Sequence, residues 1–207
     1  MRISDTLRLM TVGSYSEAGI ASSCYHNNLA ILENVLSHTR DNGTIVVDMV
    51  AGTDAFASTL FAQFDALVFV VEPTKRGLAV LEDYIKLAKA GGVAERLLVV
   101  ANKVEDEDDE RYVQEAAGAR YAGALSRSAH LRAVDKGSQQ LDFSKLTEQD
   151  RATLATIAER AESLTIPAQE RLSSLWKLHE TYVSQGYVKQ RFGDLTTQID
   201  PNFVYES

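Results

Sequence analysis

The strongest candidate for chemistry is an aspartate that ends an apolar run and is followed four residues later by a glycine. Residues 45–47 (IVV) lead into Asp48, and Gly52 follows. A carboxylate at the end of a buried strand is costly unless water, Mg²⁺ or a cation meets it, and ligands collect at the carboxyl ends of parallel strands. Asp48 is therefore a candidate ligand for Mg²⁺ with a catalytic role, and Gly52 is grouped with it. An aspartate that caps the following turn fits this short pattern equally well.

A second candidate is a pair of polar residues after another apolar run. Asn102 and Lys103 follow residues 97–101 (LLVVA). An asparagine amide can both donate and accept, which suits a purine edge, and a lysine stem can cover a ring while its charge stays in water. Pro73, which ends the preceding strand, is grouped with them as a nucleotide-binding residue. A plain loop with a surface lysine is the alternative.

A third candidate is the pair Cys24 and His26. A thiolate and an imidazole two residues apart can face one metal ion if the backbone is extended, and both ligands suit Zn²⁺, Ni²⁺ or copper. Two ligands do not close a site, so a two-fold dimer would have to supply the other pair. From spacing alone, a small buried cysteine and a histidine at a helix start are the favoured interpretation.

Composition limits the classes of function. The 207 residues carry a net charge of −8, which argues against non-specific binding to nucleic acid or to an anionic membrane. A single cysteine allows no intrachain disulfide, which fits a cytoplasmic protein. No apolar run approaches the roughly 20 residues that span a bilayer.

Apolar runs alternate with helical patterns along the first two thirds of the chain. Strands are predicted at residues 7–12, 45–47, 66–71, 97–101 and 121–125, and helices at 26–37, 55–63, 78–90 and 108–117. Strands that are apolar throughout imply a sheet covered on both faces, and the alternation implies parallel pairing. We therefore expect an α/β fold with a mostly parallel, doubly wound sheet and additional C-terminal helices.

The remainder of the chain has a different pattern. Helices are predicted at residues 147–163 and 167–184, and a polar tail with late aromatic residues begins at residue 191. The expected organisation is an α/β domain over 1–140, which the resemblance described below implies to be an incomplete P-loop NTPase-like domain, a helical extension over 141–190 and an extended tail over 191–207. The acidic run 105–110 is interpreted as a solvated helix cap, and His38, His130 and His179 as surface residues.

Four segments, taken in order, resemble one family. They are SSCYHNNLAILENVL, IVVDMVAGTDAF, ALVFVVEPTKRGLAVL and LLVVANKV. Together they are similar to the MinD-like ATPases that serve carbon monoxide dehydrogenase, the CooC-type nickel-insertion proteins. The resemblance covers roughly residues 7–104 and continues more loosely to residue 137.

The resemblance implies a deviant-Walker P-loop ATPase that dimerises around ATP and carries a metal to a client metalloenzyme. Asp48 then matches the magnesium-associated aspartate and Gly52 the switch glycine, while Asn102 and Lys103 lie beside the adenine. The family's Cys-x-Cys pair, which forms a metal site shared between subunits, corresponds here to Cys24 and His26. That mixed sulfur and nitrogen set would bind Zn²⁺ or Ni²⁺ with an altered preference.

One departure from the family is the absence of a G-x-x-x-x-G-K-[ST] phosphate loop from these 207 residues. Such a loop supplies backbone amides, a lysine and the magnesium hydroxyl. We therefore expect a chain that lacks the N-terminal part of the fold and does not hydrolyse ATP alone. The alternatives are a non-catalytic interaction module, a subunit that pairs with a phosphate-loop-bearing partner, and a metal-binding dimer that uses Cys24 and His26 without nucleotide.

Overall fold

The structure of the chain is a computed structural model that describes residues 4–10, 25–38 and 43–205. Its strands are β1 (Leu67–Val71), β2 (Leu97–Val104) and β3 (Tyr121–Ser126). Its helices are α1 (Tyr25–Ser37), α2 (Lys75–Ala90), α3 (Glu107–Ala117), α4 (Ala129–Asp135), α5 (Glu148–Ser163), α6 (Ala168–Leu178) and α7 (Gly186–Phe192), with a π-helical turn at His179–Val183. Short 3₁₀ turns include Gly52–Phe56, Leu60–Gln63 and Leu195–Gln198. Within these described ranges, no helix is long and apolar enough to cross a membrane.

The chain divides into two compact units. The first contains the described residues up to Val50, the segment Ala55–Gln63 and residues 167–205. The second contains Ala51–Asp54 and Phe64–Ile166, which include all three strands. The three-part organisation predicted from the sequence, 1–140, 141–190 and 191–207, stays a prediction.

The sheet of the second unit is parallel, as the alternation of strands and helices predicts. β2 lies between β1 and β3, and both pairings are parallel. Val71, the last residue of β1, lies opposite Ala101, and β2 continues from there to Val104. The described residues thus form an α/β fold with a three-stranded parallel sheet and several helices.

Helices pack on both faces of this sheet. On one face, the ring of Phe69 packs on Tyr84 of α2 with centroids 4.5 Å apart. On the other face, Leu98, Val100 and Ala122 form a buried cluster against which Ile157 of α5 packs. The face with Ile157 is incompletely covered at β1, where Val68 is 41% and Val70 is 52% exposed.

β3 and α5 approach each other closely because β3 contains a glycine. A Cβ atom on Gly123 would lie 2.6 Å from the hydroxyl oxygen of Thr153. That hydroxyl donates to the carbonyl oxygen of Ala124 at 2.8 Å. The helix start is also fixed, since Thr147 and Asp150 form a reciprocal capping box. The predicted helix over 147–163 is thereby confirmed, with Thr147 as its N-cap.

The first unit is mainly helical. Leu172 and Leu175 of α6 are buried, as is Leu60 of the 3₁₀ turn that both α1 and α6 contact. The tail packs along the C-terminal end of α1. The hydroxyl of Tyr205 donates to the carbonyl of Ser37 at 2.5 Å, and the backbone amide of Asp200 donates to Nε2 of His38 at 3.1 Å.

Two predicted strands are wrong where the structure describes them. Residues 7–10 form no strand, and Leu7, Leu9 and Met10 are 57%, 48% and 63% exposed. Residues 11 and 12 lie outside the described ranges. Residues 45–47 also form no strand, and Val46 is 90% exposed. Arg8 forms an isolated β-bridge, which is not a strand. The β-branched composition of residues 45–47 favours a strand only where a neighbouring strand and a packing surface exist, and this segment pairs with none of the three described strands.

Substitution of Gly123 by alanine tests the close packing of β3 on α5. We expect a loss of about 1–3 kcal/mol in the free energy of unfolding, because the methyl group would overlap the Thr153 side chain. Thermal and urea denaturation measure this loss. Gly123→Ala in a Thr153→Ala background is the matched control, because the φ of 132° at Gly123 strains an alanine in both backgrounds, whereas the Thr153 atoms nearest the new methyl group are removed in one. Equal destabilisation by Gly123→Ala in the two backgrounds would contradict the packing argument.

Candidate functional site

A polar cleft of about 320 Å³ lies at the carboxyl end of the sheet. Its walls come from residues at or just beyond the carboxyl ends of β1, β2 and β3 and from the first turn of α3. These residues are Glu72, Pro73, Thr74, Lys103, Glu105, Asp106, Asp109 and Arg127. This is the region where open parallel sheets collect ligands. Pro73 and Lys103, both predicted from the sequence as nucleotide-binding residues, therefore line one cleft.

The wall after β1 depends on a tight connection into α2. Thr74 is the N-cap of α2, and its hydroxyl accepts a hydrogen bond from the amide of Gly77 at 3.0 Å. A Cβ on Gly77 would lie only 2.5 Å from the carbonyl oxygen of Glu72. A glycine is therefore required for the first turn of α2 to lie this close to the end of β1.

The wall after β2 depends on an irregular strand end. β2 continues to Val104, so Asn102 and Lys103 lie inside the strand. The prediction from the sequence that they follow the strand is wrong. The register with β3 shifts between Asn102 and Val104. Lys103 has a φ of 59° and is the non-glycine residue with a positive φ in the described chain. The side-chain oxygen of Asn102 accepts from the amide of Lys103 at 3.0 Å, a hydrogen bond that does not use the NH₂ group of Asn102. Asn102 is not among the residues that line the cleft.

Two ion pairs determine the charge of the cleft. The ammonium group of Lys103 is hydrogen-bonded to the carboxylate of Glu72. This hydrogen bond and the positive charge hold the pKa of Glu72 below its usual value. Nε of Arg127 lies 2.5 Å from Oε1 of Glu105. Both cationic side chains of the cleft are thus neutralised, and an acidic surplus remains.

The acidic surplus belongs to the first turn of α3. Asp106 is the N-cap of this helix and accepts from the amide of Asp109 at 2.9 Å. Asp109 in turn accepts from the amide of Glu105 at 3.0 Å. The interpretation of residues 105–110 as a helix cap is confirmed for these carboxylates. Their contribution to the cleft was missed, because the sequence does not show that the first turn of α3 adjoins the end of β1.

Asp48 and Gly52 fall in different units of the structure. Asp48, in the first unit, is exposed and lies outside any strand, so the buried strand end that its predicted role assumed is not present. Gly52, in the second unit, has a φ of 67°, and a Cβ there would lie 3.7 Å from Val80 of α2. The catalytic roles of both residues stay predictions.

The metal pair predicted from the sequence lies mainly beyond what the structure describes. Cys24 is outside the described residues. His26 is in the first turn of α1, so the extended backbone that would let both residues face one ion is already helical at that position. Among the residues whose side chains are described, no group of three or more His, Cys, Asp or Glu side chains could hold a metal ion.

A buried polar cluster in the first unit was also missed. The hydroxyl of Thr59 donates to the carboxylate of Glu33 and lies 2.8 Å from Nε2 of His179. Nε2 of His179 is also 3.3 Å from Oε1 of Glu33, and both of these side chains are almost fully buried. The prediction that His179 is a surface residue is wrong, because its polar partners come from sequence positions more than 100 residues away. His38 and His130 are also partly buried and hydrogen-bonded.

Comparison with known proteins finds two distant relatives. The chain is 30% identical over 106 residues to an uncharacterized ATP-binding protein of Methanocaldococcus jannaschii, a match that covers 50% of this chain and 40% of that protein. It is 26% identical over 159 residues to the carbon monoxide dehydrogenase accessory protein CooC of Rhodospirillum rubrum, which covers 74% of this chain and 59% of CooC. No protein-family profile matches, and no solved structure matches.

These similarities support a distant P-loop ATPase-like relationship for the chain. The chain spans 40% and 59% of the lengths of the curated relatives it matches. Neither comparison assigns a role to individual residues.

Substitution of Gly77 by alanine tests the wall of the cleft. We expect the variant to lose about 1–3 kcal/mol of stability, because the methyl group would overlap the Glu72 carbonyl and force α2 away from β1. Thermal denaturation measures the loss, and NMR shifts of the Glu72 and Lys103 amides report the displacement. Gly186→Ala, in the first turn of α7 with no atom near the Cβ position, should leave stability nearly unchanged. A Gly77→Ala protein as stable as this control would show that the close approach is not required.

Proposed function

We propose that this chain is a nucleotide-binding protein of the MinD/CooC-like ATPase class. The cleft at the ends of β1 and β2 takes the adenine of ATP. Pro73 and Lys103 contact the base, and Asn102 donates a hydrogen bond to its edge. The observation that carries the proposal is that Pro73 and Lys103, predicted from the sequence as nucleotide-binding residues, line one cleft at the carboxyl end of a parallel sheet. One relative is named an ATP-binding protein, which supports the proposal.

The polarity of the cleft fits the base end of a nucleotide better than its phosphates. Its cations are already paired with carboxylates, and its remaining carboxylates would repel a polyphosphate. An uncharged purine requires only a flat apolar contact and a few hydrogen bonds. The NH₂ group of Asn102 complements the ring nitrogen acceptors of adenine.

We also propose residues that contact the phosphates and metal ions. Asp48 associates with Mg²⁺, and Gly52 responds to the γ-phosphate, in an assembly whose phosphate loop is not among these 207 residues. The chain alone is therefore not catalytically competent. The similarity to CooC supports a role in metallocentre maturation for a client enzyme, with Cys24 and His26 binding Zn²⁺ or Ni²⁺ at a dimer interface.

The adenine site can be tested with adenosine and with ATP in the presence of Mg²⁺. We expect both to bind the chain weakly and with similar affinity, because the cleft recognises the base and lacks a cradle for phosphates. Asn102→Ala should weaken adenosine binding by about five- to tenfold, the equivalent of one hydrogen bond. Calorimetry or an NMR titration measures both affinities.

The matched control for this test is Asn202→Ala, which removes an exposed asparagine from the first unit. It should bind adenosine as the unmodified chain does. The adenine assignment fails if the unmodified chain binds no adenosine, or if the two asparagine variants bind it equally well. Tight, magnesium-dependent binding of ATP by the chain alone would contradict the statement that the phosphate site is incomplete.

A second candidate function is that of an interaction subunit that pairs with a phosphate-loop-bearing partner. The favouring observation is that β1 pairs only with β2 among the described strands, while Val68 and Val70 are about half exposed. A strand with an unpaired edge is a template for pairing with another chain.

Mixing the chain with a phosphate-loop protein of the same organism tests this second candidate. We expect a complex by native mass spectrometry and protection of the β1 backbone amides from hydrogen exchange, because a new strand would bond to that edge. Val70→Lys should weaken the complex, since a charge would lie on the apolar face. Leu141→Lys, which alters another half-exposed apolar residue of the second unit, is the control. A chain that stays monomeric in every mixture would count against this function.

A further inference from the structure

We infer that Glu72 is a positioning residue for the ligand of the cleft. It holds Lys103 so that the methylene stem of the lysine is offered to the ligand while its charge is neutralised. The inference rests on the proposed binding of a purine in this cleft and deepens it by assigning to Glu72 the positioning of the lysine that contacts the base.

The side chain of Lys103 reaches from one strand toward its neighbour. Lys103 lies near the end of β2, and its ammonium group reaches Glu72, which directly follows β1. Both residues line the cleft. Side chains at both ends of the pair are about half exposed, at 49% and 47%, so the cleft remains open to a ligand.

The backbone at Lys103 adopts a left-handed conformation. Its φ of 59° is a conformation that non-glycine residues rarely adopt. The irregular register between Asn102 and Val104 and the hydrogen bond from the Lys103 amide to Asn102 accompany this conformation. The backbone thus aims the side chain, and Glu72 fixes its far end. A long lysine side chain that is fixed before binding loses less rotamer entropy when a ligand arrives.

Glu72 also neutralises the charge of Lys103. Because the pKa of Glu72 is held below its usual value, its carboxylate is ionised at neutral pH and cancels the lysine charge. Without Glu72, the free ammonium would attract anions and would no longer present its stem in one place. Removal of Glu72 should therefore change the two kinds of binding in opposite directions.

The experiment is an NMR titration of the folded chain with two probes, adenosine and inorganic pyrophosphate. Glu72→Gln should bind adenosine about threefold more weakly, in keeping with the modest strength of an exposed pair. It should bind pyrophosphate about threefold more tightly, because an ammonium group is freed. Damage to the fold alone would not strengthen pyrophosphate binding.

A double-mutant cycle with Lys103→Met isolates the pair. Methionine keeps an apolar stem and removes the charge, so Glu72→Gln should have no effect on adenosine binding in that background. Glu82→Gln, which removes one carboxylate partner of Lys86 on the exposed side of α2, is the control and should bind both probes as the unmodified chain does.

The outcomes separate this inference from the proposed function. If the unmodified chain does not bind adenosine, both are overturned. If the unmodified chain binds adenosine, and Glu72→Gln binds each probe with the same affinity as the unmodified chain, only the role of Glu72 is overturned. The same conclusion follows if Glu72→Gln weakens adenosine binding as much in the Lys103→Met background as in the unmodified chain.

Discussion

The parallel pairing of β1 with β2 is the constraint on which the cleft depends. Neighbouring parallel strands bring their carboxyl ends to the same edge of a sheet, and here Val71 of β1 lies opposite Ala101 of β2. Every residue that follows these two strands is therefore delivered to the same edge of the sheet. Glu72 and Lys103 can pair only because of this arrangement, since 30 residues and a whole helix separate them in the chain.

Local backbone features refine this arrangement. Gly77 lets α2 begin directly against the end of β1, and the left-handed conformation of Lys103 turns its side chain toward Glu72. Neither feature increases the buried apolar area of the sheet. Both determine the shape and charge of the cleft, which is typical of strained or permissive positions that accompany binding sites.

The ion pairs of the cleft limit what its two cationic side chains can bind. A cation that binds phosphate must be free to meet it, whereas Lys103 and Arg127 each have a carboxylate partner. A cleft with this charge would repel a polyphosphate. It is consistent with the proposed nucleotide site, in which the base and the phosphates are held by different parts of the protein, and with the absence of a phosphate-loop motif from these 207 residues.

The sequence predicted those elements whose signals are local. The apolar runs that became β1, β2 and β3 and the helix that became α5 were all identified correctly, because each depends on neighbouring residues. Residues 45–47 have the composition of a strand, but a strand also requires a partner, which composition cannot supply. His179 was misplaced for the same reason, since its burial depends on Glu33 and Thr59.

For the candidate site, the sequence by itself determined the residue types that could contact a purine, namely Pro73, Asn102 and Lys103. Only the tertiary structure decided that Lys103 is neutralised by Glu72, that Arg127 is neutralised by Glu105, and that the first turn of α3 completes the wall. Residue type and spacing fix the chemistry that a side chain can perform. The charges and surfaces that face it come from distant parts of the chain, and these are brought together only when the strands pair.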